Sequence, residues 1–390
     1  MSRRGISILT LMLLVVSILS FAAGYWARDV WPLTADPLAL VQEARRLLGL
    51  HYLDPLPDEL ELERGMIYGM MGILEDPYSV YIKPEAHEIQ SDELAGEYAG
   101  IGADIYQDED GKFFLVPIEG APADTAGIQE GDILVAIDGT FLDSEISISS
   151  VITLIRGPVD TVVHLTVAPR VNQESSLGFD ITRALIPLPS VTQYLIPDED
   201  GIGVIGVRRF SDKTPSEIED AFEEIIHRGA KSVILDLRDN PGGLLDASID
   251  SARIFLNEGL VVVEERSGDE NQVFYVTEKG PASEIPLVVL ANERTASAAE
   301  VVAAAIQDND RAIIIGERTF GKGSVQAILE LSDGSSLHVT SARWLTPKGN
   351  VIDEQGLIPD IVVEQIESTA DNFIAVAVEW LREQSENDQR

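Results

Sequence analysis

The run Pro286–Asp308, PLVVLANERTASAAEVVAAAIQD, sets an apolar strand directly before a helix of alanine and valine, with a short polar turn between them. Strand followed at once by helix, repeated along a chain, builds parallel sheets with helical crossovers. Outward from this run the pattern repeats. Upstream stand GVIGVRRF, SEIEDAFEEIIHRG, KSVILDLR, LLDASIDSARIFL and LVVVEE, and downstream AIIIG, so the chain after Ile181 reads as an α/β core around a mostly parallel, buried sheet. A polar hairpin follows, SVQAILELSDGSSLHVTSARWLT, with Asp333-Gly334 as its turn. A last helix, from about Asp371 to Arg382, offers Ile374, Ala377, Val378 and Leu381 as an apolar stripe.

The chain before this core differs in character. Short β-type runs (AGIGADIY, KFFLVPI, DILVAIDG, VVHLTVAPR) and one helical piece, ISSVITLIR, fill Gly96 to about Arg170 and describe a small inserted peptide-recognition or barrel-like module. From Asp36 to about Leu94 the apolar spacing is helical, interrupted at Asp54-Pro55 and Asp76-Pro77. Arg3 and Arg4 precede an uncharged run, Ile6 to Ala27, of about 22 residues, enough to span a bilayer as a helix. The positive flank holds the N-terminus in the cytoplasm and places the rest outside it, periplasmic or extracellular, while Ala22, Ala23 and Gly24 leave removal as a signal peptide open. The expected division is 1–35 anchor or signal segment, 36–95 helical part of the core, 96–170 inserted domain, 171–366 α/β core, and 367–390 terminal helix and tail.

Composition narrows the chemistry. Asp plus Glu number 66 against 28 Lys plus Arg, a net charge of -38, which repels a phosphate backbone and argues against nucleic acid as a partner. The absence of cysteine excludes a thiol nucleophile, a cysteine-ligated metal and disulfides. The five histidines, His51, His87, His164, His227 and His338, show no metal-ligand spacing and give a histidine-based triad no local support. No metal or other cofactor is expected.

Three polar stretches remain. Ser297 with Glu300 fits the capping box S-x-x-E, and the same helix start would also hold a serine nucleophile where N–H groups and the macrodipole stabilise an oxyanion. A serine nucleophile needs a base; without histidine the available bases are carboxylates or a lysine, and a lysine serves only if burial or cationic surroundings lower its pKa towards neutrality. The stretch Ile313–Ser324, IIIGERTFGKGS, supplies Lys322; it falls one position short of the phosphate loop G-x-x-x-x-G-K-[ST], because Gly323 stands where the hydroxyl belongs. In Asp236–Gly243, DLRDNPGG, the tight turn at Pro241-Gly242-Gly243 leaves bare amides that can approach a ligand.

Together DLRDNPGG, NERTASAAE and GERTFGKGSVQ resemble the carboxyl-terminal processing proteases, a Ser-Lys peptidase family with an inserted PDZ domain. The resemblance extends to EYAGIGADI and APADTAGIQEGDILVAIDG in the PDZ region, to ARWLTPKGNVIDEQGLIPDIVV, and to LEDPYS, where Tyr78 stands in place of the usual histidine. It implies Ser297 as nucleophile, Lys322 as general base and Gln326 as the residue orienting the lysine amine, with Lys322 lying 25 residues after Ser297. It further implies the N–H of Ala298 and that of Gly242 or Gly243 as oxyanion donors, and Gly100, Ile101 and Gly102 as the loop that binds a substrate C-terminus. Arg156 is implied as the link between PDZ domain and active site, although Val159-Asp160 departs from the family's glycine and threonine there.

The expected function is a serine endopeptidase cutting proteins near their C-termini, with protein substrates bearing free C-termini as partners and the membrane as anchor. A homo-oligomer or regulatory partner is left open, and the alternative is a non-catalytic PDZ adaptor of envelope proteins. Geometry adds one condition. Residues four apart on an extended strand lie about 13 Å apart, so the chain must curl at Gly321 and Gly323 to bring Lys322 back towards Gln326.

Overall fold

The computed structural model describes residues 38–388 apart from 173, 174, 198, 200, 267, 269 and 364–370, together with 12, 15–17 and 20. The expected membrane segment, Ile6 to Ala27, lies almost wholly outside these residues. No helix among the described residues is long and apolar enough to cross a membrane. The chain divides into two compact units, residues 1–69 and 70–390. In the first stand α1 (Ala39–His51), none of whose residues is buried, and the greater part of α2 (Glu59–Gly72). Arg45 of α1 pairs with Glu59 of α2 at 2.8 Å.

The second unit opens with β1 (Val80–Ile82) and α3 (Pro84–Ala95), which ends on Gly96 in the left-handed conformation. The inserted domain follows: β2 (Glu97–Gly100), β3 (Ala103–Gln107), β4 (Phe113–Pro117), α4 (Pro122–Ala126), β5 (Asp132–Ile137), β6 (Thr140–Phe141), α5 (Ile148–Ile155), β7 (Val162–Ala168) and β8 (Leu177–Thr182). Its antiparallel sheet runs β3-β4-β5-β7-β8, with β6 on β5. Alternate residues point inward, so Phe113, Leu115, Leu134, Val163 and Leu165 build a core that Val151 and Ile155 of α5 close. The sheet continues beyond Arg170, because β8 pairs with β7 from Val162 to Val167. β2 pairs instead with β9 (Ala184–Pro187), so the chain enters and leaves the insertion along one short ladder.

The core contains β10 (Val191–Leu195), β11 (Ile202–Val207), α6 (Thr214–His227), β12 (Ser232–Asp236), α7 (Leu245–Phe255), β13 (Leu260–Arg266), β14 (Gln272–Tyr275), β15 (Leu287–Ala291), α8 (Ala298–Asp308), β16 (Ile313–Gly316), β17 (Ser324–Glu330), β18 (Ser336–Leu345), β19 (Ile361–Val362) and α9 (Asn372–Asp388). The main sheet has the order β10-β11-β12-β15-β16-β19 and is parallel except at β10. Its central strands are apolar on both faces because both are covered. Val233, Leu235 and Val289 meet residues of α6, α7 and α8, whereas Ile234, Val288, Leu290 and Ile315 meet Phe373, Ala377, Val378 and Leu381 of α9. The expected stripe is therefore shifted: Phe373 is in the core and Ile374 only flanks it.

One strand lies elsewhere than the alternation suggested. β13, the LVVVEE run, leaves the parallel sheet and pairs antiparallel with β14 and β18 in a second sheet, β1-β18-β13-β14, with β17 also on β18. Its charged end is the physical reason. A strand covered on both faces must be apolar throughout, but Glu264, Glu265 and Arg266 need polar company, and Arg266 pairs with the buried Glu264 at 2.8 Å.

Candidate active site

Ser297 sits at the N-cap of α8, immediately after β15 and its turn, with φ +55° and ψ -119°, a backbone conformation unusual for serine. The turn is fixed from beneath. Thr295 Oγ1 donates to the Leu237 carbonyl at 2.9 Å, and the Ala296 N–H donates to the Asn240 carbonyl at 2.9 Å, tying the serine turn to the DNPGG turn. A Cβ on Gly242 would lie 2.8 Å from Ser297 Cβ, and one on Gly243 would lie 2.0 Å from the Phe210 carbonyl oxygen. Both glycines also have positive φ, +104° and +144°. Close approach and backbone sign together require glycine at both positions.

These turns leave two amides free. The Gly242 N–H donates to Asn240 Oδ1 at 2.8 Å. Among the described residues, no acceptor takes the N–H of Gly243 or that of Ala298, the first residue of α8. Asn240 was not singled out from the sequence, yet its signal was there: asparagine two residues before glycine is an Asx turn.

Lys322 lies between β16 and β17 in a loop without regular structure, and Gly321 turns the chain at φ +88°. The expected curl is present at Gly321, whereas Gly323 is not among the glycines of positive φ. Both backbone groups of Lys322 are held by side chains: its N–H donates to Glu300 Oε2 at 2.9 Å and its carbonyl accepts from Trp344 Nε1 at 3.0 Å. Burial pushes the Lys322 amine below its ordinary value, and only the Asp76 carboxylate opposes it. The amine lies 4.9 Å from the centre of the Tyr78 ring.

Glu300 is the residue whose part the sequence understated. The capping box accounts for one bond, Ser297 N–H to Oε2 at 2.8 Å. The same carboxylate also accepts from the N–H groups of Gly321 and Lys322 and from the Thr319 hydroxyl, and it has no exposed surface. Burial pushes its pKa up, and the bonds from Thr319, Lys322, Gly321 and Ser297 work in the opposite direction. One buried carboxylate thus joins the serine turn to the lysine loop.

Ser297, Lys322, Gln326, Gly242, Gly243 and Trp344 share a cavity of about 330 Å³. The arrangement does not include the expected contact of Gln326 with the lysine. Gln326 Nε2 donates to Ser324 Oγ at 2.9 Å and reaches Thr340 Oγ1 at 3.5 Å, and among the described residues no hydrogen bond joins Lys322 Nζ to Gln326 or Ser297. A register shift between Val325 and Gln326 accompanies this placement on β17.

Another wall of the cavity comes from α3, through Gln90, Glu93 and Leu94. Arg156, at the end of α5, pairs with Asp92 on this helix and lies over the Tyr98 ring at 4.8 Å. The inserted domain therefore contacts the helix that lines the cavity. In the Gly100–Gly102 loop the Ile101 side chain is buried in the small core, the carbonyls of Ile101 and Gly102 accept from Ala123 and Ile118, and among the described residues the N–H groups of both have no acceptor. β3, which follows this loop, forms an edge of its sheet.

Comparison with known proteins decides the family. The profile for Peptidase family S41 matches residues 201–363, and a PDZ domain profile matches 113–169. The carboxyl-terminal-processing protease of Synechocystis sp. is 38% identical over 301 residues, covering 76% of this chain and 70% of that protein. This chain belongs to the carboxyl-terminal processing proteases. The family's members include CtpA of Bacillus subtilis, 35% identical over 308 residues, of whose length this chain spans 65%. A photosystem II D1 C-terminal processing protease of known structure is 29% identical, with 86% of this chain and 90% of that one covered at a TM-score of 0.49. As a member of family S41 the protein is a serine-type peptidase carrying a PDZ domain.

Proposed function

We propose that this processing protease cuts protein substrates near their C-termini by a Ser-Lys mechanism, with Ser297 as nucleophile and Lys322 as general base. The observation carrying this reading is the pairing of a serine at a strained helix start with a half-buried lysine of lowered pKa in one cavity. The neutral Lys322 amine takes the proton from Ser297 Oγ as the bond from Oγ to the scissile carbonyl carbon forms. The resulting ammonium returns that proton to the departing amine nitrogen as the C–N bond breaks. Water then attacks the acyl-serine, losing its proton to the same amine, and the ammonium gives that proton to Ser297 Oγ as the acyl C–Oγ bond breaks.

The oxyanion formed at each attack is assigned to the N–H groups of Gly243 and Ala298, since the Gly242 N–H already has its acceptor in Asn240. Gln326 is assigned to the substrate-loaded site, where a change of side-chain rotamer would exchange Ser324 for the lysine amine. The free amides of Ile101 and Gly102, beside Gly100, are assigned to a substrate's terminal carboxylate, with the edge of β3 receiving the peptide as an added strand. Arg156 and Asp92 would pass occupancy of that groove to α3.

The N-terminal apolar run supports an extracytoplasmic enzyme held at the membrane or exported, acting on envelope proteins. Membership of a peptidase family favours this reading over a PDZ adaptor. Mass spectrometry of cell-envelope C-termini in strains carrying the native protein or Ser297→Ala tests it. Shortened C-termini present only with the native protein are expected. Identical C-termini in the two strains would refute it.

A further inference from the structure

The mechanism above leaves one group near the lysine without a task. The Lys322 amine lies 4.9 Å from the centroid of the Tyr78 ring, within the distance at which a cation is held by an aromatic face. The ring is placed there by a built turn. Asp76 accepts from the Tyr78 N–H at 3.0 Å and from the Ser79 hydroxyl at 2.6 Å, and the buried Ser79 in turn accepts from the Thr340 N–H on β18 at 3.0 Å. Nothing in the fold of this turn requires a phenol at its centre.

We propose that the Tyr78 ring is the seat of the Lys322 ammonium, a positioning residue that stabilises the charge formed on the lysine when Ser297 gives up its proton. This rests on the reading of Lys322 as the base. Other groups around the amine are Asp76, which favours its charged form, and His338 of β18, whose imidazole is held below its ordinary value by burial, His87 and Lys322. Glu300 holds the lysine backbone N–H. The Tyr78 hydroxyl stays protonated: burial pushes its pKa up, and Asp353, Glu300, Asp76 and Glu354 push the same way. The tyrosine therefore supplies the face of its ring, not a second charge, to a lysine whose amine burial pushes towards the neutral form.

The sign of the effect separates this role from simple packing. A ring that stabilises the ammonium raises the lysine pKa, so removing the ring while keeping the apolar bulk lowers it. Loss of packing that admitted water would raise it instead.

The test compares pH profiles of kcat/KM for cleavage of β-casein by the full chain and its Tyr78→Phe, Tyr78→Leu and Lys322→Ala variants. Tyr78→Phe should follow the native profile. In Tyr78→Leu the acid limb should move down by about half a pH unit to one unit, and the maximal kcat should fall by about 3- to 10-fold with KM little changed. Tyr78→Met repeats the test with another ring-free apolar side chain should the leucine variant fold poorly. Competitive acetylation of the Lys322 amine with acetic anhydride, in a Ser297→Ala background, reads the same pKa without turnover and should show the same downward shift. An unmoved or upward-moving limb in the ring-free variants would overturn the proposal, as would a loss in Tyr78→Phe equal to that in Tyr78→Leu. Activity retained by Lys322→Ala would instead overturn the assignment of the base.

Discussion

The backbone N–H of Ser297 and that of Lys322 both end on one oxygen, Oε2 of Glu300, at 2.8 and 2.9 Å. Residues 25 apart in the chain are thereby held in one register by a carboxylate that solvent does not reach. The serine turn and the lysine loop cannot shift independently while that carboxylate is intact.

Glu300→Gln tests this bridge. The carboxylate accepts two donors on each oxygen, so an amide must turn its NH2 towards two of them. The variant should fold with a lowered Tm and lose roughly 10- to 100-fold in kcat, the consequence of about 1–3 kcal/mol of unsatisfied buried donors. Steady-state kinetics and thermal unfolding of the same preparation measure both. A native kcat would show that the bridge does not set the geometry.

The glycines of the DNPGG turn should not behave alike. Gly243→Ala drives a methyl into the Phe210 carbonyl, a backbone atom that cannot swing away, and should destabilise by more than about 2 kcal/mol. Gly242→Ala presses on Ser297 Cβ at 2.8 Å and on the Ala296 carbonyl and Ala298 N–H at 2.9 and 3.0 Å, so it should cost less stability than Gly243→Ala but displace the serine turn and lower kcat. Chemical denaturation beside kinetics distinguishes the two.

Burial of Lys322 should cost stability as well as provide a base. Its folded pKa lies below the ordinary 10.5, so between the two values the unfolded chain binds more protons and stability rises with pH. Below the folded value the full cost is present. Lys322→Met should therefore be inactive yet melt about 1–4 °C higher than the native protein at pH 7, with the difference shrinking as pH approaches 10.5. Calorimetry across this range would detect it.

If Arg156 and Asp92 pass PDZ occupancy to α3, replacing either breaks the same link. Arg156→Ala, Asp92→Ala and the double variant should lose turnover to a similar extent, with a non-additive cycle. Independent, additive losses would mean that the pair serves only local packing.

Much of this was legible in the residues. The both-sided apolar runs KSVILDL and PLVVLA could form only a covered parallel sheet, and the Asp333-Gly334 turn closed its hairpin where expected. The LVVVEE strand was misplaced because an apolar run does not say which sheet will accept it, and its charged end was the clue. Ser297 and Lys322, which line one cavity, were singled out through motif order, and the turn before Lys322 through chain reach. Glu300 read as a cap because local spacing reveals only the local bond. Its contacts to Thr319, Gly321 and Lys322, like the ring of Tyr78 over the amine, join residues whose separation carries no periodic signal.

Whether Ser297 and Lys322 perform the cleavage is read from proteolysis of an unstructured protein by the native chain, Ser297→Ala and Lys322→Ala, followed from pH 6 to about pH 10. Native activity should rise with pH through an apparent pKa below 10.5, and each variant should lose roughly 10³-fold or more at every pH. Native-like cleavage by either variant would contradict the assignment of nucleophile and base.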